Sequence, residues 1–221
     1  MKALIIFDID GTLFQTAKVT VPAVQRTLAA YGLPEPDATT ICAYIGRPVE
    51  EYLEWLASVC PAGRAAEIVD AANRLELELI AAEGALYPGV REALDALERD
   101  GYVLAVCSNG PDDYVNEFLD AHDVRRYLAM ARTRGTRYPG KQAMIREILE
   151  HLPVRPAVVV GDREDDVSAA HANGALAIGA CYGFGSREEL SDADAKITCA
   201  GEIGASVRRL VAHEDNQVGG V

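Results

Sequence analysis

The sequence has no Cys-x-x-Cys pair, and its five cysteines (Cys42, Cys60, Cys107, Cys181 and Cys199) are odd in number and widely spaced. That pattern argues against a zinc cluster or a redox dithiol and leaves buried or idle thiols. Positive charge is scarce: 21 lysines and arginines stand against 34 aspartates and glutamates, for a formal net charge of -13. Such a surface repels polyanions, which excludes wrapping a nucleic acid or lying on an anionic membrane; a small anionic ligand needs only a local positive pocket. No long apolar run opens the chain. Met1 to Phe7 meets Asp8 after seven residues, too short for a signal-peptide core or a membrane span, so a cytoplasmic location is the expectation. Internal repeats and low-complexity tracts are also lacking. With 49% apolar and 25% charged residues, nothing supports global disorder.

What is present is an alternation of apolar runs and helical patterns. Ala3 to Phe7, Val103 to Cys107, Val158 to Val160, Ala175 to Ile178 and a weaker run at Leu128 to Ala131 read as buried strands. Between them Val90, Ala93, Leu94 and Leu97, and Ile145, Ile148, Leu149 and Leu152, recur at helical spacing. Fully apolar strands alternating with helices predict an α/β fold whose parallel sheet is covered on both faces. Ligands of such sheets lie outside the carboxyl ends of the strands. From about Thr16 to Glu83 the alternation stops, with helical candidates at Val49 to Val59 and Arg64 to Ala82. The expected division is a core of residues 1–15 and 84–212, an inserted helical subdomain of residues 16–83 and a flexible polar tail over 213–221. At 221 residues the chain has room for one core with such an appendage.

Four clusters follow the apolar runs. Asp8-Ile9-Asp10-Gly11-Thr12 puts two carboxylates one residue apart, and Gly11 lets the chain curl so that both serve one crevice. An ionised carboxylate can attack phosphorus, and a second can protonate a leaving oxygen and later deprotonate water. Ser108-Asn109-Gly110 offers a hydroxyl and freed amides before a helix starting near Pro111. Lys141 opens the next helical pattern after Pro139-Gly140 and supplies a cation; Arg132, Arg134 and Arg137 crowd the same segment as alternatives. Asp162, Glu164, Asp165 and Asp166 follow Val158 to Gly161, and hard carboxylate oxygens at a strand end suit magnesium. Taken singly, each cluster has a plainer explanation, as an acidic turn, a helix cap, a surface lysine or acids matching a helix dipole.

In this order the clusters resemble the haloacid dehalogenase superfamily of phosphatases, in particular members with a helical cap after the first motif, such as phosphoglycolate phosphatases. The resemblance covers Met1 to about Leu190 and implies a Rossmann-like three-layer core. It implies Asp8 as a nucleophile forming an aspartyl-phosphate, Asp10 as general acid and base, and Ser108 and Lys141 holding the transferring group. Thr12 and Asn109 match supporting positions. Magnesium is expected on Asp8, the main-chain carbonyl of Asp10, and Asp162, with Asp166 favoured over Asp165 for orienting a metal-bound water. Ile45-Gly46-Arg47-Pro48 resembles a cap loop that reaches the site, with Arg47 as a contact to the substrate's tail. Two departures stand out: Gln15 replaces an acid frequent just after the first motif, and no proline follows Lys141.

The resulting expectation is a magnesium-dependent phosphatase acting on a small phosphorylated metabolite. A phosphomutase, a nucleotidase or pyrophosphatase, and a signalling domain carrying phospho-aspartate are the alternatives. Retention of Asp10 speaks against a dehalogenase, and Asp10 with the long helical insertion speaks against the signalling domain. His122, His151 and His171 read as structural, and Trp55 with Tyr52 as packing. Oligomeric state stays open.

Overall fold

A computed structural model describes residues 2–135 and 140–218, the last four as backbone only. In chain order its elements begin with β1 (Leu4–Phe7), α1 (Ala17–Ala30), α2 (Ala38–Cys42), α3 (Val49–Ser58), α4 (Ala65–Ala82) and α5 (Val90–Arg99). There follow β2 (Val103–Ser108), α6 (Asp112–Ala121), β3 (Leu128–Thr133), α7 (Lys141–His151), β4 (Ala157–Gly161) and α8 (Glu164–Ala172). The chain ends with β5 (Leu176–Ala180), β6 (Ala195–Ile197) and α9 (Ile203–Val218). The six strands form one sheet in the order β3-β2-β1-β4-β5-β6, every pairing parallel.

Parallel pairing follows from the helices that return the chain across the sheet, and it buries the strands on both sides. Successive residues of β1 point to opposite faces. Ile5 and Phe7 join α5, α6 and α9 in one apolar layer, whereas Leu4 and Ile6 join Met144, Ile145 and Ile148 of α7 and Val167 and Ala170 of α8 in the other. Chain order reverses beside β1: β2 and β3 lie to one side, β4, β5 and β6 to the other. At such a switch point the loops leaving neighbouring strands diverge and open a crevice. Asp8 follows β1 and Asp162 follows β4, so the two adjacent strands deliver their carboxylates to that crevice.

The five strands expected from the sequence are present; three-residue β6 is an addition, too short to announce itself. Helices α1 to α4 occupy the strandless insertion, and Val24, Leu28, Ile41, Leu56, Ile68 and Ala72 pack into an apolar cluster separate from the two layers on the sheet. Trp55 and Tyr52 pack against this cluster, and the Trp55 ring stacks on Tyr44 at 4.7 Å between centroids. Where a flexible polar tail was expected from residue 213, α9 continues to Val218; from residue 213 to Val218 the chain has no glycine or proline to end it. Among the described residues no helix is long and apolar enough to cross a membrane.

Phe14 and Phe118 join the first loop to α6: both are fully buried, with centroids 5.0 Å apart, and His122 packs on both rings. Replacing Phe118 with alanine removes a ring from a dry, close-packed position. Urea denaturation of Phe118→Ala should show a loss of about 3–5 kcal/mol; a loss below about 1 kcal/mol would mean the layer collapses around the gap.

Candidate active site

The crevice at the carboxyl edge of the sheet gathers charge out of water. Asp8, Asp10, Asp162, Asp166 and Lys141 are all buried, Lys141 completely. Lys141 is the first residue of α7, and its Nζ lies 2.6 Å from Asp8 Oδ1 and 2.5 Å from Asp166 Oδ1. Burial acts to lower the lysine's pKa, but the carboxylates of Asp166 and Asp8 override it and hold the ammonium well above its ordinary value. Of the alternative cations, Arg132 pairs with Glu147 and Arg134 with Glu50, both at 2.8 Å. Arg137 lies outside the described residues.

One ammonium does not balance four acids. Burial raises the carboxyls of Asp8, Asp10 and Asp162, the last to about 7, and Asp166 adds repulsion at Asp8 and Asp162. Single ligand oxygens of Asp8, Asp162 and Asp166 lie within 4.8 Å of one another, and Asp8 Oδ2 and Asp162 Oδ1 are buried without a hydrogen-bond partner. A set of hard oxygens with unsatisfied lone pairs and excess negative charge fits a divalent cation.

Glycine makes this crowding possible at two turns. Gly11 has φ of +78°, and a Cβ there would collide with the Asp162 carboxylate and the Phe184 ring. At Gly161 an added Cβ would strike the Asp166 carboxylate. Asp166 is further oriented by the Arg163 amide, which donates to its Oδ2 at 3.1 Å at the start of α8.

Asp10 turns the other way. Its Oδ1 accepts from the Tyr114 hydroxyl at 2.6 Å and the Thr16 hydroxyl at 2.7 Å, bonds that oppose the effect of burial on its pKa. Neither Thr16 nor Tyr114 was among the expected site residues. Tyr114 lies 104 residues from Asp10, and only its place on the first turn of α6, just after Ser108-Asn109-Gly110, hinted at a role.

The remaining expected residues sit around these acids. Ser108 is fully buried at the end of β2 and accepts from the Gly110 amide at 3.0 Å; Thr12 is also fully buried, its hydroxyl unpartnered. Asn109 donates to Asp165 Oδ2 at 3.1 Å and to the Gly46 carbonyl at 3.2 Å. Asp165 therefore faces Asn109 while Asp166 faces Lys141. The Tyr182 to Leu190 segment borders the site: the Phe184 amide donates to Asp162 Oδ2 at 2.5 Å, and the Tyr182 hydroxyl to the Thr12 carbonyl at 2.9 Å. Cys107, beside Ser108, is buried, and burial pushes its thiol far up, so it stays an inert packing group.

Arg47 is placed differently from its neighbours in the cluster. It is on the insertion's loop and lines the cavity beside Asp10, but its guanidinium donates to the Ala43 carbonyl at 2.8 Å and meets Glu51 at 3.5 Å. Arg163 supplies the contact that ties this loop to the sheet edge, its Nη2 donating to the Ile45 carbonyl at 2.7 Å. Together with Asn109 on Gly46, it holds two successive loop carbonyls against the acids.

Comparison with known proteins adds to this geometry. Residues 5–180 match the family model described as haloacid dehalogenase-like hydrolase. A 5'-nucleotidase of Pseudomonas aeruginosa is 31% identical over 95% of this chain and 96% of its own length. A phosphoglycolate phosphatase of Aquifex aeolicus is 30% identical over 82% of this chain and 85% of its own. Among solved structures, that of a predicted phosphoglycolate phosphatase from Haemophilus somnus superposes with a TM-score of 0.82 at 23% identity, covering 92% of this chain and 97% of that one. The last likeness concerns the fold alone.

Removing the Arg163 guanidinium should free the loop. In hydrogen-exchange mass spectrometry, Arg163→Ala should speed amide exchange across residues 43–48 by about tenfold. Unchanged protection would show that Asn109 and loop packing suffice.

Proposed function

This chain belongs to the haloacid dehalogenase-like hydrolase family and is a phosphate-monoester hydrolase; we propose that it acts on a small phosphorylated metabolite through an aspartyl-phosphate on Asp8, with magnesium as its cation. The observation that carries this reading is the pairing of two differently prepared carboxylates. Asp8 has one oxygen on Lys141 and the other buried and unpartnered, whereas Asp10 is held by two hydroxyls and lines the cavity.

In the proposed reaction Asp8 Oδ2 attacks phosphorus, and the bond to the ester oxygen breaks as that oxygen takes a proton from Asp10. Asp10, now a carboxylate stabilised by Tyr114 and Thr16, takes a proton from water as the water oxygen bonds to phosphorus. The acyl-phosphate bond then breaks, releasing inorganic phosphate and restoring Asp8. Ser108, Asn109 and Lys141 bind the phosphoryl oxygens, so that catalysis comes chiefly from in-line placement and charge stabilisation. Magnesium would be held by Asp8, Asp162 and the Asp10 carbonyl, with Asp166 beside it, and would supply positive charge to the phosphoryl oxygens when bound.

We assign residues 16–83 as a cap over a core of residues 1–15 and 84–212. The cap excludes bulk water and bears on the choice of leaving group. Arg47 gives one N–H to Ala43 and meets Glu51 through Nη1; we assign its remaining guanidinium donors to the substrate's tail.

The test is phosphate release from small phosphate esters, with magnesium and with chelator. Release should depend on added magnesium and fall by at least about a thousandfold in Asp8→Asn, with an unchanged circular dichroism spectrum. Turnover in a clean Asp8→Asn preparation rejects Asp8 as the nucleophile; an isomerised sugar phosphate without free phosphate points to a mutase.

A further inference from the structure

Two hydroxyls restrain the Asp10 carboxyl, and both end on the same oxygen. Thr16, immediately before α1, donates to Oδ1 at 2.7 Å, and Tyr114 donates to it at 2.6 Å. Among the described residues no hydrogen bond engages Oδ2. In the reaction proposed above Asp10 hands a proton to the leaving oxygen. With Oδ1 occupied by two donors, that proton has its place on Oδ2.

The two restraints differ in kind. Thr16 shares its single hydroxyl hydrogen with the Phe14 carbonyl, 3.3 Å away, and both residues belong to the same stretch of chain as Asp10. Tyr114 comes from α6, in the core, and ties Asp10 to an element 104 residues distant. Its ring is buried in the apolar layer that includes Val115 and Phe118. It lies close over the turn at Gly110, where an added Cβ would come within 3.1 Å of Cδ1. A tyrosine has only two main torsions, and packing on this scale fixes both, so the hydroxyl reaches Asp10 at little further cost in entropy.

A buried tyrosine hydroxyl needs some partner, and a main-chain carbonyl would satisfy it. The choice of this carboxyl has a chemical consequence. A hydrogen bond to a carboxylate is roughly twice as strong as one to a neutral group, so the Tyr114 bond tightens as Asp10 gives up its proton. An interaction that strengthens on the way to the transition state speeds the chemical step rather than the binding.

We propose that Tyr114 is a positioning residue for leaving-group protonation: its hydroxyl fixes the Asp10 carboxyl with Oδ2 as the proton-bearing oxygen and supports the charge that forms as the proton departs. Tyr114 keeps its own proton throughout. The proton that moves is that of Asp10, and it bonds to the ester oxygen as the phosphorus–oxygen bond breaks. The inference rests on the phosphatase reading and adds a residue to it. Its particular demand is that Tyr114 matters in proportion to the leaving oxygen's need for a proton: an alkoxide needs one, and a nitrophenolate leaves without it.

The experiment compares kcat/KM for benzyl phosphate and p-nitrophenyl phosphate, which are alike in size and charge, with magnesium, in wild type, Tyr114→Phe and Asp10→Asn. This constant covers the steps through transfer to Asp8 and leaves out the later hydrolysis. Tyr114→Phe should lower the benzyl value by about tenfold and the p-nitrophenyl value by less than about twofold, with an unchanged circular dichroism spectrum. Asp10→Asn should shift the ratio of the two esters in the same direction and further. An equal fall for both esters in Tyr114→Phe, or no fall for either, makes Tyr114 a packing residue and overturns the inference while the phosphatase reading stands. If Asp10→Asn leaves the ratio unchanged, Asp10 is not the proton donor, and the inference falls with that part of the reading. Release from neither ester by wild type overturns both.

Discussion

The arrangement depends on one ammonium buried between two carboxylates. Lys141 joins Asp8 at the end of β1 to Asp166 on α8, and α7, which it starts, packs on the sheet through Met144, Ile145 and Ile148. Three elements distant in sequence thereby converge on one point. Desolvating these charges costs several kcal/mol per ion, which close pairing must offset. Deleting one partner would strand the other, a loss of about 3–5 kcal/mol in comparable pairs. The residual negative charge is the site's own argument for a cation, since Asp8 and Asp162 keep unpartnered oxygens beside it.

The sheet explains why such a costly cluster forms at this edge. In a parallel sheet all strands end on the same side, and the reversal of order between β1 and β4 leaves their loops to diverge. Asp8 and Asp162 thus become neighbours because their strands are paired in register, Phe7 beside Val160. Close approach then requires glycine at Gly11 and Gly161, where a side chain would occupy the carboxylates' own space.

The insertion closes the crevice from above and brings a different chemistry. Its loop is fastened through main-chain carbonyls, Ile45 to Arg163 and Gly46 to Asn109, so the fastening places little demand on loop side chains. Its helices present a largely apolar wall with a few polar groups. The two surfaces therefore differ in chemistry: charged groups gather at the sheet edge, and the helices' side of the cavity is largely apolar.

Much of this was legible in the sequence, because the signals involved are local. An apolar run marks a buried strand, and the acids, hydroxyls and glycine after it mark where polar groups gather at the sheet edge; Asp8, Asp10, Ser108 and Asp162 became candidates that way. Helix α1 was harder to see, since Pro22 sits in its interior, and β6 is only three residues long. By itself the sequence determined the alternation of strands and helices, the residue types at each strand end and the overall excess of negative charge. Only the tertiary structure decided that Thr16 and Tyr114 hold Asp10, that Asp165 meets Asn109, and that Arg163 fastens the Ile45 carbonyl. Those choices depend on side-chain directions set by packing between elements far apart along the chain, and no local pattern encodes them.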